Sequence, residues 1–132
     1  MANLIAKQSV GNRPKNLDLT TIRLPINALV SIFHRLSGVV LFLMLPVMLW
    51  ALQTSVRDEA HYEYLVGFTE IWWVKLLLVA LFVPFFHHFY AGLRHLGQDV
   101  HWMTTLQKAR FSGRVVLWLD AISVLLFGIA IW

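Results

Sequence analysis

The chain has 132 residues, 58% hydrophobic and 14% charged, with a formal net charge of +4 and no cysteine. A soluble domain of this size needs far more charge to cover its surface. The missing cysteines exclude disulfides, thiolate metal sites and covalent c-type haem attachment.

Residues 1–16 are polar and interrupted by Gly11 and Pro14, which predicts a tail. Leu17 to Ile26 mixes leucine and isoleucine with Asp18, Thr20, Thr21 and Arg23 around Pro25, as suits a short interfacial segment. Residues 1–28 are therefore read as a tail and interfacial segment, and residues 29–132 as a transmembrane domain. The first apolar stretch, Leu29 to Leu52, is charged only at Arg35 and carries Pro46, which should bend it. It starts too late and runs too long for a signal-peptide core, and no small-x-small cleavage site follows, so it is expected to be retained. The second, Ile71 to Leu93, is charged only at Lys75, contains Pro84, and lies in a span predicted over residues 70–96. The third, Phe111 to Trp132, carries Arg114 and Asp120. Each reaches the roughly 20 residues that cross about 30 Å of hydrocarbon. The expected fold is an all-α membrane protein with three transmembrane helices. Trp50, Trp72 and Trp73 fit an aromatic belt at one interface.

The loops orient the spans. Lys7, Arg13, Lys15 and Arg23 stand before the first helix against Asp18 alone, and the second loop brings Arg94, Lys108, Arg110 and Arg114 against Asp99. The first loop instead holds Arg57 against Asp58, Glu59, Glu63 and Glu70. The positive-inside rule then puts the N-terminus and second loop in the cytoplasm or an equivalent compartment, with the first loop and C-terminus opposite. The basic balance thus reflects topology and lipid and implies no nucleic-acid partner.

Ionisable groups inside a membrane are costly, so their clustering is a functional signal. His88 and His95 lie a heptad apart on one face of the second helix, with Arg94 beside them and Asp99 one turn beyond His95, close enough to pair. Imidazole is a common axial ligand of haem iron, which points to His88 as ligand, with His95 and Arg94 near the propionates. His95 as ligand stays open by geometry, as does His87, about 100° round the helix. The alternative is that these groups bind a partner helix or lipid headgroups. Gly92, with Ala91, makes a low surface where a porphyrin or a helix can approach. On the first helix, Ser31, His34 and Arg35 cluster at i, i+3 and i+4. Their hydroxyl and guanidinium donors suit a quinone carbonyl, or equally a snorkelling arginine and a serine bonded to its own helix. Three spans cannot readily enclose a large cofactor, so a partner subunit or a homo-oligomer is expected.

The run Arg13-Pro14-Lys15-Asn16-Leu17-Asp18-Leu19, then Ile22-Arg23-Leu24-Pro25 and Ser31-Ile32-Phe33-His34-Arg35-Leu36-Ser37-Gly38, resembles the cytochrome b membrane-anchor subunits of succinate dehydrogenase, respiratory complex II. The pattern His88, Gly92, Arg94-His95-Leu96 and Asp99 resembles that family's second helix, whereas the third span matches in hydropathy alone. The resemblance implies a heteromeric anchor bundle with a second small anchor subunit, holding the iron–sulfur and flavoprotein subunits that carry the iron–sulfur clusters and FAD. It implies that His88 is an axial ligand of haem b, the other coming from the second anchor. Ser31 and Arg35 would line the ubiquinone site, and His34 and His95 would lie near the propionates. The membrane would be the bacterial inner membrane in preference to the mitochondrial one. Succinate oxidation would occur outside this chain. The rival readings are a quinol-oxidising fumarate reductase anchor and a haem-free structural anchor. Asp120, nine residues into the third apolar stretch, has no role in this scheme; protonation, water, or pairing with the second anchor would each account for it.

Overall fold

The structure, a computed structural model, describes Thr21, Ile22 and residues 24–132. The tail, the motif residues 13–19 and half of the expected interfacial segment, residues 17–20 and 23, lie outside the described residues. The described residues form four helices: α1 (Ile26–Ser55), α2 (Glu59–Thr69), α3 (Trp72–Asp99) and α4 (Leu106–Ile131). Three of them, α1, α3 and α4, are long and apolar enough to cross a membrane. At 1.5 Å per residue they run about 39 to 45 Å, so their ends extend beyond the hydrocarbon into the headgroup layers. Both Pro46 and Pro84 are accommodated within continuous helices. No strand occurs among the described residues.

The spans run up, down and up, with α3 packed along both α1 and α4. Where they meet, the side chains are small. Val30, Ala91 and Val116, one from each span, form the buried core, with Tyr90 packed against it. Gly113 lets α4 close on α1, because a Cβ there would stand 3.3 Å from Asn27 Oδ1. Most large apolar side chains, among them Phe42, Leu43, Trp118 and Leu125, are exposed on the outside of the bundle. Lipid and partner helices are as apolar as these groups, so they need no core; close backbone approach and polar contacts hold the spans together.

The polar contacts come in layers. At the level of Asn27, Arg94 Nε donates to Ser112 Oγ at 3.0 Å, and Nη2 reaches Asn27 Oδ1 at 3.3 Å and the Ala109 carbonyl at 3.4 Å. One guanidinium thus ties all three spans. Toward the other end, Tyr90 Oη and Ser123 Oγ share a 2.8 Å hydrogen bond, and Phe82 stacks on Phe127 at 3.8 Å.

The first loop is largely helical. Asp58 caps α2 by accepting from the His61 N–H at 2.9 Å, and its carboxylate also meets His61 Nδ1 at 2.6 Å. The His61 side chain beside it, together with that amide, holds the Asp58 carboxyl below its usual range. Glu59 in the first turn adds a favourable charge at the positive helix end. Lys75 turns back to Glu70 at 2.8 Å, so its charge leaves the apolar stretch by the nearest exit.

The link from α3 to α4 is a Schellman closure. The amide of His101 donates to the Gln98 carbonyl and that of Trp102 to the Gly97 carbonyl, each at 2.9 Å. His101 therefore sits at φ 62°, in the left-handed region where glycine is usual. A side chain there costs about 1–2 kcal/mol, partly offset by the extra freedom glycine has when unfolded. We expect His101→Gly to raise stability by about 0.5–1 kcal/mol, measured as resistance of the purified protein to thermal denaturation in detergent.

Candidate functional site

Three of the histidines singled out in the sequence meet between α1 and α3. His34 stacks on His88 with centroids 4.3 Å apart and planes within 12°, and lies 5.0 Å from His95 at 54°. Glycines make the room. A Cβ on Gly38 would lie 3.0 Å from His88 Cε1, and one on Gly92 would lie 3.4 Å from His34 Nε2. Gly92 therefore admits the His34 ring, while its neighbour Ala91 belongs to the core.

The hydrogen bonds of His88 define its tautomer. Nδ1 lies 3.1 Å from the His34 carbonyl, which can only accept, so Nδ1 carries the proton and donates. Ser37 Oγ, itself donating to the same carbonyl at 2.8 Å, stands 3.3 Å from Nδ1. The lone pair is left on Nε2, which makes no hydrogen bond among the described residues and is not sealed inside the chain. An imidazole held through Nδ1–H by a carbonyl, with Nε2 open, is the usual arrangement of a metal-ligating histidine. His88 thus fits an axial ligand. No group of three metal-binding side chains occurs among the described residues, so other bonds to a metal would come from elsewhere.

His87 is different. Its side chain is buried, and both ring nitrogens are taken. Nε2 donates to the Val30 carbonyl at 3.2 Å, and Nδ1 meets Asp120 Oδ2 at 2.6 Å. Because Nε2 must be protonated, the second contact is either imidazolium with carboxylate or neutral imidazole accepting from a carboxylic acid. In neither case does His87 offer a lone pair. Asp120, unassigned from the sequence, finds its partner within the chain, and its other oxygen, Oδ1, is buried without a hydrogen bond. An intramembrane acid signals a partner, but only the α3–α4 register shows which one it takes. A groove of about 520 Å³ runs over this pair, walled by Phe33, Leu36, Val83, Pro84 and Leu117.

The remaining candidates divide. Arg94 points inward to Asn27, Ser112 and Ala109. Asn27 and Ser112, unnoticed in the sequence, complete that contact. Arg35 is exposed and Ser31 half-buried, one turn apart on α1, and neither makes a side-chain hydrogen bond among the described residues. Arg35 lies within electrostatic range of His34 and His95. Asp99, close enough in sequence to pair with His95, is exposed at the end of α3 and stays within electrostatic range of that ring, with no ion pair between them among the described residues.

Residues 9–127 match the family described as the succinate dehydrogenase/fumarate reductase transmembrane subunit. The chain belongs to this family. It is 35% identical over 121 residues to the succinate dehydrogenase cytochrome b556 subunit of Coxiella burnetii (strain RSA 493 / Nine Mile phase I), covering 91% of this chain and 97% of that one. The succinate dehydrogenase cytochrome b556 subunit of Rickettsia felis (strain ATCC VR-1525 / URRWXCal2) is 28% identical over 127 residues, with 96% of each chain covered. The succinate dehydrogenase cytochrome b560 subunit of Reclinomonas americana is 32% identical over 111 residues, covering 80% of this chain and 77% of that one. This succinate dehydrogenase-type transmembrane subunit is a membrane anchor of an oxidoreductase complex, built of three apolar helices. Its exposed apolar flanks suit association with the other subunits of that complex.

Proposed function

We propose that this subunit holds one side of a haem b with His88 and helps form the site where ubiquinone is reduced. The observation that carries the reading is the half-buried His88 imidazole, with Nδ1–H donated to the His34 carbonyl and Nε2 making no hydrogen bond among the described residues. The relatives are named cytochrome b subunits, which supports the same assignment. A second small anchor subunit would supply the remaining protein ligand, and His88 the one from this chain. Once bound, haem b is a one-electron acceptor. His34 packs on the His88 ring and fixes its plane, and His95 lies beside His34, where both can meet propionates.

Arg35 and Ser31 stand ready for the quinone. Their side-chain donors are uncommitted among the described residues, and one turn of helix separates them. Arg35 orients the quinone and offsets the negative charge that develops on its oxygens; Ser31 donates a hydrogen bond and relays a proton. Succinate is oxidised in the flavoprotein subunit, with FAD there and iron–sulfur clusters in the iron–sulfur subunit that delivers the electrons. Those subunits sit on the side of the α1 N-terminus and the α3–α4 link, which the basic residues assign to the cytoplasm of a bacterium with the complex in its inner membrane. The family's quinol-oxidising fumarate reductases are the second reading, since direction depends on potentials outside this chain.

The test is a reduced-minus-oxidised optical spectrum of the purified complex, with subunits identified by mass. A bis-histidine haem b signal accompanied by flavoprotein, iron–sulfur and second anchor subunits is expected. Four subunits without haem would refute the ligand assignment. At finer grain, Gly38→Val places carbon where the His88 ring lies, so haem content per assembled complex should fall to a small fraction. Unchanged haem content in that variant would count against His88.

A further inference from the structure

Adjacent histidines on a haem-binding helix pose a selection problem, because either imidazole can bind iron. The two rings meet α1 in the same manner. His87 Nε2 takes the Val30 carbonyl and His88 Nδ1 takes the His34 carbonyl, acceptors one helical turn apart. They differ in burial, His87 being buried and His88 half-buried, and in the second nitrogen. That of His88 is open, while that of His87 is held at 2.6 Å by Asp120 from α4.

We infer that Asp120 is a specificity-determining residue that sequesters His87 and leaves His88 as the chain's single haem-iron ligand. The inference rests on the reading of His88 as that ligand. Asp120 touches neither iron nor substrate; it acts through His87. Its placement argues for a purpose beyond packing, since Oδ1 is buried with no hydrogen bond and an apolar side chain would fill the site without that penalty. The carboxylate also reaches across from another helix. His87 is therefore denied to iron only once α4 has docked on α3, so the choice of ligand follows assembly of the three spans.

The test compares variants of the whole membrane complex by haem content per assembled complex and by the EPR signals of the oxidised haem. His88→Ala should lose low-spin haem, because His87 stays sequestered. Asp120→Asn, which can still bond to Nδ1, should keep the single native species. Asp120→Leu should show a second low-spin species beside the native one. The decisive variant is His88→Ala combined with Asp120→Leu, which should regain low-spin haem that disappears again on adding His87→Phe. A single native species in Asp120→Leu, with no regain in the double variant, would overturn the inference and leave His88 ligation standing. Haem bound through His87 in His88→Ala alone would also overturn it, since Asp120 would not be excluding that ring. Native haem in a chain lacking both His87 and His88 would overturn the underlying reading instead. Should Asp120→Leu fail to assemble, His87→Phe with Asp120→Leu replaces the pair by apolar groups. That variant should assemble with one native haem species; its inability to do so would make the pair a folding element and refute the selective role.

Discussion

Replacing His88 by alanine should remove the low-spin haem b signal from the complex almost completely while its subunits remain associated. His88 donates Nδ1–H to the His34 carbonyl and keeps an open Nε2, whereas His87 has both nitrogens committed. His34 is stacked on the face of the His88 ring, and His95 neighbours His34. Assembly should survive because His88 lies outside the Val30, Ala91 and Val116 core and outside the Arg94 contacts. The check is a reduced-minus-oxidised spectrum normalised to subunit content. A native spectrum in the variant would dismiss His88 as ligand.

Arg35→Ala should lower quinone reduction about 100-fold, the order expected for removing one donor from a site that stabilises developing oxyanion charge, with haem content unchanged. The contrast with Arg94 is instructive. Both arginines flank the imidazole cluster, but Arg94 spends Nε and Nη2 on Ser112, Asn27 and Ala109, while Arg35 makes no hydrogen bond among the described residues and is exposed. A free guanidinium at a membrane boundary can give two charge-assisted hydrogen bonds to a ligand without first breaking any inside the chain. Steady-state kinetics with a soluble quinone, alongside the haem spectrum, make the measurement. Native kinetics in Arg35→Ala would remove it from the quinone site; a parallel loss of haem would assign it to the cofactor instead.

The three spans were legible in the sequence because apolar length is a one-dimensional property, and bilayer thickness turns it into a helix count. The first loop was less so. Asp58 before Glu59 is a helix-start signal that a reading guided by hydropathy passes over, and α2 follows it. Among the site residues, the heptad from His88 to His95 and the i, i+3, i+4 cluster at Ser31, His34 and Arg35 could be read from helical periodicity alone. Their meeting could not. His34 stacks on His88 because Gly38 and Gly92 let two helices close at one register, and no intrahelical spacing encodes a register between helices.

The employment of the remaining polar groups follows the same division. From the sequence, Arg94 was a charge for propionates or lipid, Asp99 a partner for His95, and Asp120 an acid without a role. In the folded chain Arg94 ties α1 and α4 to α3, Asp99 stands exposed, and Asp120 holds His87. The sequence by itself determined the three spans and which histidines share a face of their own helix, since composition and periodicity act within each helix. Only the tertiary structure decided which nitrogen of which histidine remains open. That choice depends on hydrogen bonds reaching across from Val30, His34 and Asp120, residues brought near by packing and separated from the histidines by 33 to 57 positions in the chain.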